Sequence, residues 1–114
     1  MEKENMPLST THFITGYEIV ETVGICRGST VRARNFGRDI LAGFKNLVGS
    51  EIEEYTRLLA RSREQALQRM LEDARSMGAN AVVNVKFMTS QVMQGAAEML
   101  VYGTAVKVRQ DYSS

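Results

Sequence analysis

The stretch Ala74–Phe87, "ARSMGANAVVNVKF", decides the fold. Up to Met77 it continues a charged helical pattern. Gly78 then supplies the left-handed backbone conformation that ends helices, which a residue without Cβ adopts at no steric cost. Beyond it, Ala81, Val83, Val85 and Phe87 alternate with Val82, Asn84, Lys86 and Met88, the two-residue period of a strand. A helix that stops so abruptly ahead of a strand predicts layered α+β architecture, with the helix folded back on a sheet.

Upstream of the joint lies one long helix. Ser50 and Glu53 form an S-x-x-E capping box, in which each side chain satisfies a backbone N–H left free at the helix start. Glu51, Glu53 and Glu54 crowd the first turn while Arg69 and Arg75 lie towards the end, the charge order that the helix dipole favours. Tyr55, Leu59, Ala66, Met70, Ala74 and Met77 trace an apolar stripe, widened by Leu58, Leu67 and Leu71. Downstream, "TSQVMQG" turns the chain into a third extended run, "EMLVYGTAVKV", with apolar residues on both faces.

Nearer the N-terminus, "YEIVETVGICRG" reads as a first strand, with Ile19, Val23 and Ile25 on one face and Val20, Thr22, Gly24 and Cys26 on the other. In "STVRARNFGRDILAGFKNLVG", Phe36, Ile40, Phe44 and Leu47 recur at helical spacing, predicting a short helix that three glycines weaken. The domain division is a loosely ordered arm over 1–15, one α+β domain over 16–109 and a tail over 110–114. The element order is strand, short helix, long helix, strand, strand. It predicts a small antiparallel sheet packed on one helix.

A helix of roughly 27 residues is about 40 Å long, against about 30 Å for a nine-residue strand, so the helix is expected to overhang its sheet. One helix covers one face, whereas the first and third strands carry apolar residues on both. The second face then calls for another copy of the chain, with Val20, Phe36, Phe44 and Val101 as the expected oligomer contacts.

Composition sets the outer limits. The 114 residues suit one domain, and Lys plus Arg (14) nearly balance Asp plus Glu (13), so no global field draws the chain to nucleic acid or anionic membranes. One cysteine excludes an internal disulfide. The N-terminal "MEKENMPLSTTHF" lacks the apolar core of a secretory leader, and no apolar run approaches a membrane span of about 20 residues, so a cytoplasmic protein is expected.

The segments "GYEIVETVG" (Gly16–Gly24), "ARNFGRDILAGFKNLVG" (Ala33–Gly49), "ARSMGANAVVNV" (Ala74–Val85) and "GTAVKV" (Gly103–Val108) together resemble the YbjQ-like family of small bacterial proteins, which carries a label of heavy-metal binding. The resemblance runs from Gly16 to Val108. It implies a dodecin-like β-α-β-β subunit in a homopentameric ring and no defined reaction.

The chemistry in the chain is sparse. Soft metals take clustered thiolate or imidazole donors, and the chain has one of each, Cys26 and His12. A ring could gather several copies of Cys26, or pair it with His12 of a neighbour. Otherwise Cys26 is a small buried hydrophobe and His12 a solvated arm residue. Met88, Met93 and Met99 offer thioethers for a soft ion or, more simply, flexible packing. Arg27, Arg32, Arg34 and Arg38 form the one basic concentration, readable as an anion or RNA surface repeated around a ring, or as solvated and salt-bridging arginines. The lone His12 has no identifiable nucleophile partner, and "GICRG" and "GRDILAG" match no phosphate-cradling loop. The expectation is a non-enzymatic homo-oligomeric binding or scaffold module with no certain cofactor, a heavy-metal ion or a small ligand being the conceivable cargo. The alternatives are an anion- or nucleic-acid-binding ring and, more distantly, an enzyme with its site between subunits.

Overall fold

The computed structural model describes residues 6–33, 49–93 and 96–111. Within them run β1 (Tyr17–Ala33), α1 (Gly49–Ser76), β2 (Ala81–Met93) and β3 (Ala96–Gln110). The strands form one antiparallel sheet in the order β1-β3-β2, with β3 central. The expected short helix around Phe36, Ile40, Phe44 and Leu47 lies outside the described residues.

The joint at Gly78 is a Schellman motif. Gly78, at φ 91°, donates its N–H to Arg75 O at 3.0 Å, and Ala79 N–H bonds Ala74 O at 3.1 Å. Ala74 and Ala79 are both buried in one cluster, the apolar contact that accompanies this cap. Asn80 then anchors the turn to β3. Its amide accepts from Val108 N–H (2.8 Å) and donates to Val108 O (3.0 Å), while its own N–H reaches Val106 O (3.1 Å). The helix end is therefore fixed to the central strand through a side chain that imitates a strand.

α1 lies along β1 and β3 rather than β2, burying Ala66, Met70, Leu71 and Ala74 against Cys26, Met99, Val101, Ala105, Val82 and Val85. Small residues set the spacing. A Cβ on Gly28 would stand 2.3 Å from both Ala66 O and Met70 N, so the helix backbone rests directly on β1 there. One turn away, Thr30 Oγ1 donates to Ser62 O at 3.4 Å. β1 is an edge strand, and side chains of α1 occupy part of its free edge: Asp73 Oδ2 accepts from Arg27 N–H at 3.0 Å, and Arg69 Nη1 donates to Ser29 O at 2.6 Å.

Several expectations are corrected. The strands are longer than the sequence pattern suggests: β1 continues through Ser29–Ala33, and β2 runs through Thr89–Met93 where a turn was expected. At about 3.3 Å per residue β1 exceeds the 28-residue helix in length, so the sheet overhangs the helix and not the reverse. The alternation in β2 is broken by Asn84 at φ 55°, a conformation Asn tolerates better than most residues; the register shifts there, placing Val82 and Val85 on one face. The arm from Met6 to Gly16 is tied down instead of loose. Ser9 N–H bonds Val82 O, Val82 N–H bonds Pro7 O, Asn84 N–H bonds Thr11 O and Val85 N–H bonds Ser9 O, all within 3.1 Å, so the arm covers the outer edge of β2. Finally, Val101 is fully buried beneath the helix, in the chain's own core; its burial needs no neighbour.

The face of the sheet away from α1 has two halves. At one end Ala81, Val83, Val106 and Val108 are buried under Ile14 and Tyr17 as the arm crosses the sheet. The other end carries Ile25 (72% exposed), Val31 (53%) and Met88 (49%), with nothing over them among the described residues. Val20 (49%) and Ile19 (37%) are exposed beside the two bulges of β1.

Candidate functional site

Cys26 faces inward from β1 opposite Gly103 of β3. It has no exposed surface, and its Sγ donates to Gly103 O at 3.6 Å. Val82 Cγ1 would lie 2.7 Å from a Cβ on Gly103, so the space beside the thiol is filled from β2 as well. Burial, and secondarily the Asp73 carboxylate, push the thiol's pKa above its ordinary value, with hydrogen bonding to the backbone acting weakly the other way. The group is held as a protonated thiol, whereas a metal ligand or nucleophile must be a thiolate.

His12 is exposed on the arm, its ring edge-on to Phe13 with centroids 5.2 Å apart. The arm borders β2 while Cys26 belongs to β1 at the opposite edge, so within one chain the two do not meet. Among the described residues no three His, Cys, Asp or Glu side chains gather as a metal would require. Met88 points to the open face, and Met99 is buried on the helix face, its Sδ accepting from Thr89 Oγ1 at 3.5 Å. The side chain of Met93 lies outside the described residues, and the two described thioethers, on opposite faces of the sheet, do not meet. Heavy-metal coordination does not fit the described residues: the single thiol is sealed, protonated and, among them, without companion donors.

Of the four arginines, Arg27 is exposed on the face away from α1. Arg32 lies in β1 with its side chain outside the described residues, as are Arg34 and Arg38 entirely, and Phe36 and Phe44 with them. The basic cluster as such therefore lies outside the described residues. Its one described member, Arg27, stands in a row with Tyr102 and Lys86 across the three strands. Two residues further along comes the row Ser29, Leu100, Met88, and beyond that Val31, Glu98, Ser90. Sequence reasoning missed this surface because its members come from three separated segments; the alternation Ile25, Arg27, Ser29, Val31 was the available signal, once counted from beyond the bulge at Val23.

Among the described residues, a three-stranded antiparallel sheet covered on one face by one helix, with a sealed thiol inside and a charged and apolar face outside, defines a small α+β sheet-and-helix protein. No helix among the described residues is long and apolar enough to cross a membrane. The chain belongs to the YbjQ_1 family, described as "Putative heavy-metal-binding", whose model matches residues 6–109. It is 55% identical over 103 residues to a UPF0145 protein of Methanosarcina acetivorans, covering 90% of this chain and 97% of that one. It is also 55% identical over 109 residues to a UPF0145 protein of Archaeoglobus fulgidus, covering 96% and 100%, and 53% identical over 105 residues to one from Pseudothermotoga lettingae, covering 92% and 99%. Archaea thus share a family expected to be bacterial. Among solved structures, a protein of unknown function of the DUF74 family from Pediococcus pentosaceus superposes with a TM-score of 0.60 at 16% identity, covering 91% of this chain and 98% of that chain, a likeness of fold.

Proposed function

We propose that this protein is a non-enzymatic, self-assembling scaffold or binding module, whose working form is a ring of dodecin-like subunits, five by the family resemblance. The observation that carries this reading is the amount of large apolar side chain that the sheet leaves exposed: Ile25, Val31 and Met88 on its outer face, Ile19 and Val20 beside the bulges of β1, and Phe87 on β2 are each more than a third exposed, more apolar surface than a soluble chain usually leaves wet. Association through faces suits the edges as they stand: α1 side chains take up part of the β1 edge, and the arm takes up that of β2 from Val82 to Val85. The sealed Cys26 argues against a metal cargo, so assembly is the property to test.

Light scattering on purified protein is the direct experiment. With a subunit of 12.7 kDa, the reading expects a discrete multiple of that mass, the fivefold one for the ring. A single subunit mass at every concentration overturns it.

A further inference from the structure

From the pattern of charges on the open sheet face we infer that this face pairs with the same face of a second copy of the chain, about a two-fold axis running across the strands through Leu100. The inference rests on the self-assembly reading above and names one of its contacts.

The three rows on this face are fixed by strand pairing: Arg27–Tyr102–Lys86, Ser29–Leu100–Met88 and Val31–Glu98–Ser90. Successive rows are about 6.8 Å apart, adjacent strands about 4.8 Å, and stacked sheets about 10 Å. A two-fold axis along the middle row lays Leu100 on Leu100 and Met88 on Met88. It also carries each outer row onto the other. Glu98 of one copy then stands over Tyr102 of its partner, between Arg27 and Lys86, and the same contact recurs on the far side of the axis. The face is self-complementary, as an isologous interface requires.

The three charges are free to do this. Among the described residues, Arg27, Lys86 and Glu98 take part in no ion pair; the salt bridges of the sheet, Lys107–Glu21 and Arg109–Glu18, lie towards its other end. One acid between two bases is also an arrangement that a slipped or parallel pairing would not satisfy, so the charges fix register while the apolar row supplies attraction. The open patch, about 14 Å by 20 Å across three strands and three rows, is small beside the roughly 800 Å² per partner of a standard interface. The contact is accordingly weak. A two-fold contact closes on two copies, so the ring is left to apolar side chains outside these rows, Ile19, Val20 and Phe87, and this contact doubles that assembly as concentration rises.

Sedimentation velocity on three samples tests this: wild type, Glu98→Lys, and the double variant Arg27→Glu/Lys86→Glu. Wild type should double its mass between about 5 and 500 μM, the range where mass action favours a weak contact. Each variant alone sets like charges against one another and should weaken the doubling at least tenfold. Mixed one to one, the variants should double again to within about threefold of wild type. The lysine introduced in the single variant then meets two glutamates, while Glu98 of the double variant still meets Arg27 and Lys86. Doubling that survives in each variant alone, or that mixing fails to restore, overturns the pairing. Wild type that associates without doubling overturns this contact and leaves the ring standing; wild type that never associates removes the reading beneath it. Circular dichroism checks that each variant is folded, and Glu98→Gln with Arg27→Gln/Lys86→Gln, which remove charge without reversing it, serve if one is not: each should then weaken doubling by less than the reversal, and unaltered doubling counts against the contact.

Discussion

Replacing Gly28 by alanine adds one methyl group at the point where α1 touches β1. That methyl would lie 2.3 Å from Ala66 O and from Met70 N, against 3.4 Å for the start of ordinary contact, so the helix must rise by about 1.1 Å. Both obstructing atoms are backbone, which no rotamer change relieves. A gap of 0.5–1 Å forfeits roughly a quarter to a half of the contact energy across it. The helix residues affected, Ala66, Met70, Leu71 and Ala74, together contribute on the order of 8 kcal/mol by burial, so the loss is about 2–4 kcal/mol. For a domain of this size that lowers the melting temperature by about 8–17 °C. Thermal unfolding followed by far-UV circular dichroism measures it, with Gly16→Ala as the control. Gly16 has φ 87° and no atom within 4 Å of its Cβ position, so only backbone strain of about 1 kcal/mol is expected there. A Gly28→Ala protein melting within about 3 °C of wild type, or melting above Gly16→Ala, would refute the packing of α1 on β1 described here.

Two further outcomes follow from the core and the arm. The Cys26 thiol, raised by burial above its ordinary value of 9.0, is protonated in the fold and ionises more readily once unfolded; its contribution is complete below pH 9 and falls away as pH rises through that value towards the folded pKa, at up to about 1.4 kcal/mol per pH unit. Chemical denaturation from pH 7 to 10.5 should therefore show a steeper alkaline loss of stability in wild type than in Cys26→Ser, and parallel profiles would contradict the sealed thiol. Removing residues 1–11 deletes four backbone bonds to β2 and uncovers the site of Met6; at about 0.5–1.5 kcal/mol per bond, stability by urea titration should fall by at least about 2 kcal/mol. A truncated protein as stable as the whole chain would show that the arm contributes nothing.

Much of this was legible in the sequence where local chemistry decides. Gly78 announced the helix end, and the stripe from Ala66 through Met70 to Ala74 announced its buried side, because capping and helical period are written in consecutive residues. Three features were not. Asn84 sits in an alternating run like any polar strand residue, and nothing local says that it takes φ 55° and shifts the phase of β2. The bulges of β1 likewise depend on pairing with β3, from a segment some eighty residues away. Val101 looked like a residue for a neighbour because both faces of β3 are apolar, and only the side taken by α1 separates it from Leu100. Cys26 was read correctly as a small buried hydrophobe among its alternatives, but its sealing by Gly103 and Val82 is a property of three strands together.

If the open face makes folding and assembly interdependent, the melting temperature must depend on protein concentration, and measuring that dependence is the most direct test. Ligation of a folded chain by its own copies stabilises it by mass action, so over a hundredfold rise in concentration the midpoint should climb by several degrees, on the order of the 2.7 kcal/mol that such a rise can supply. A midpoint that stays fixed over that range, in a sample whose mass is that of one subunit, would contradict the interdependence.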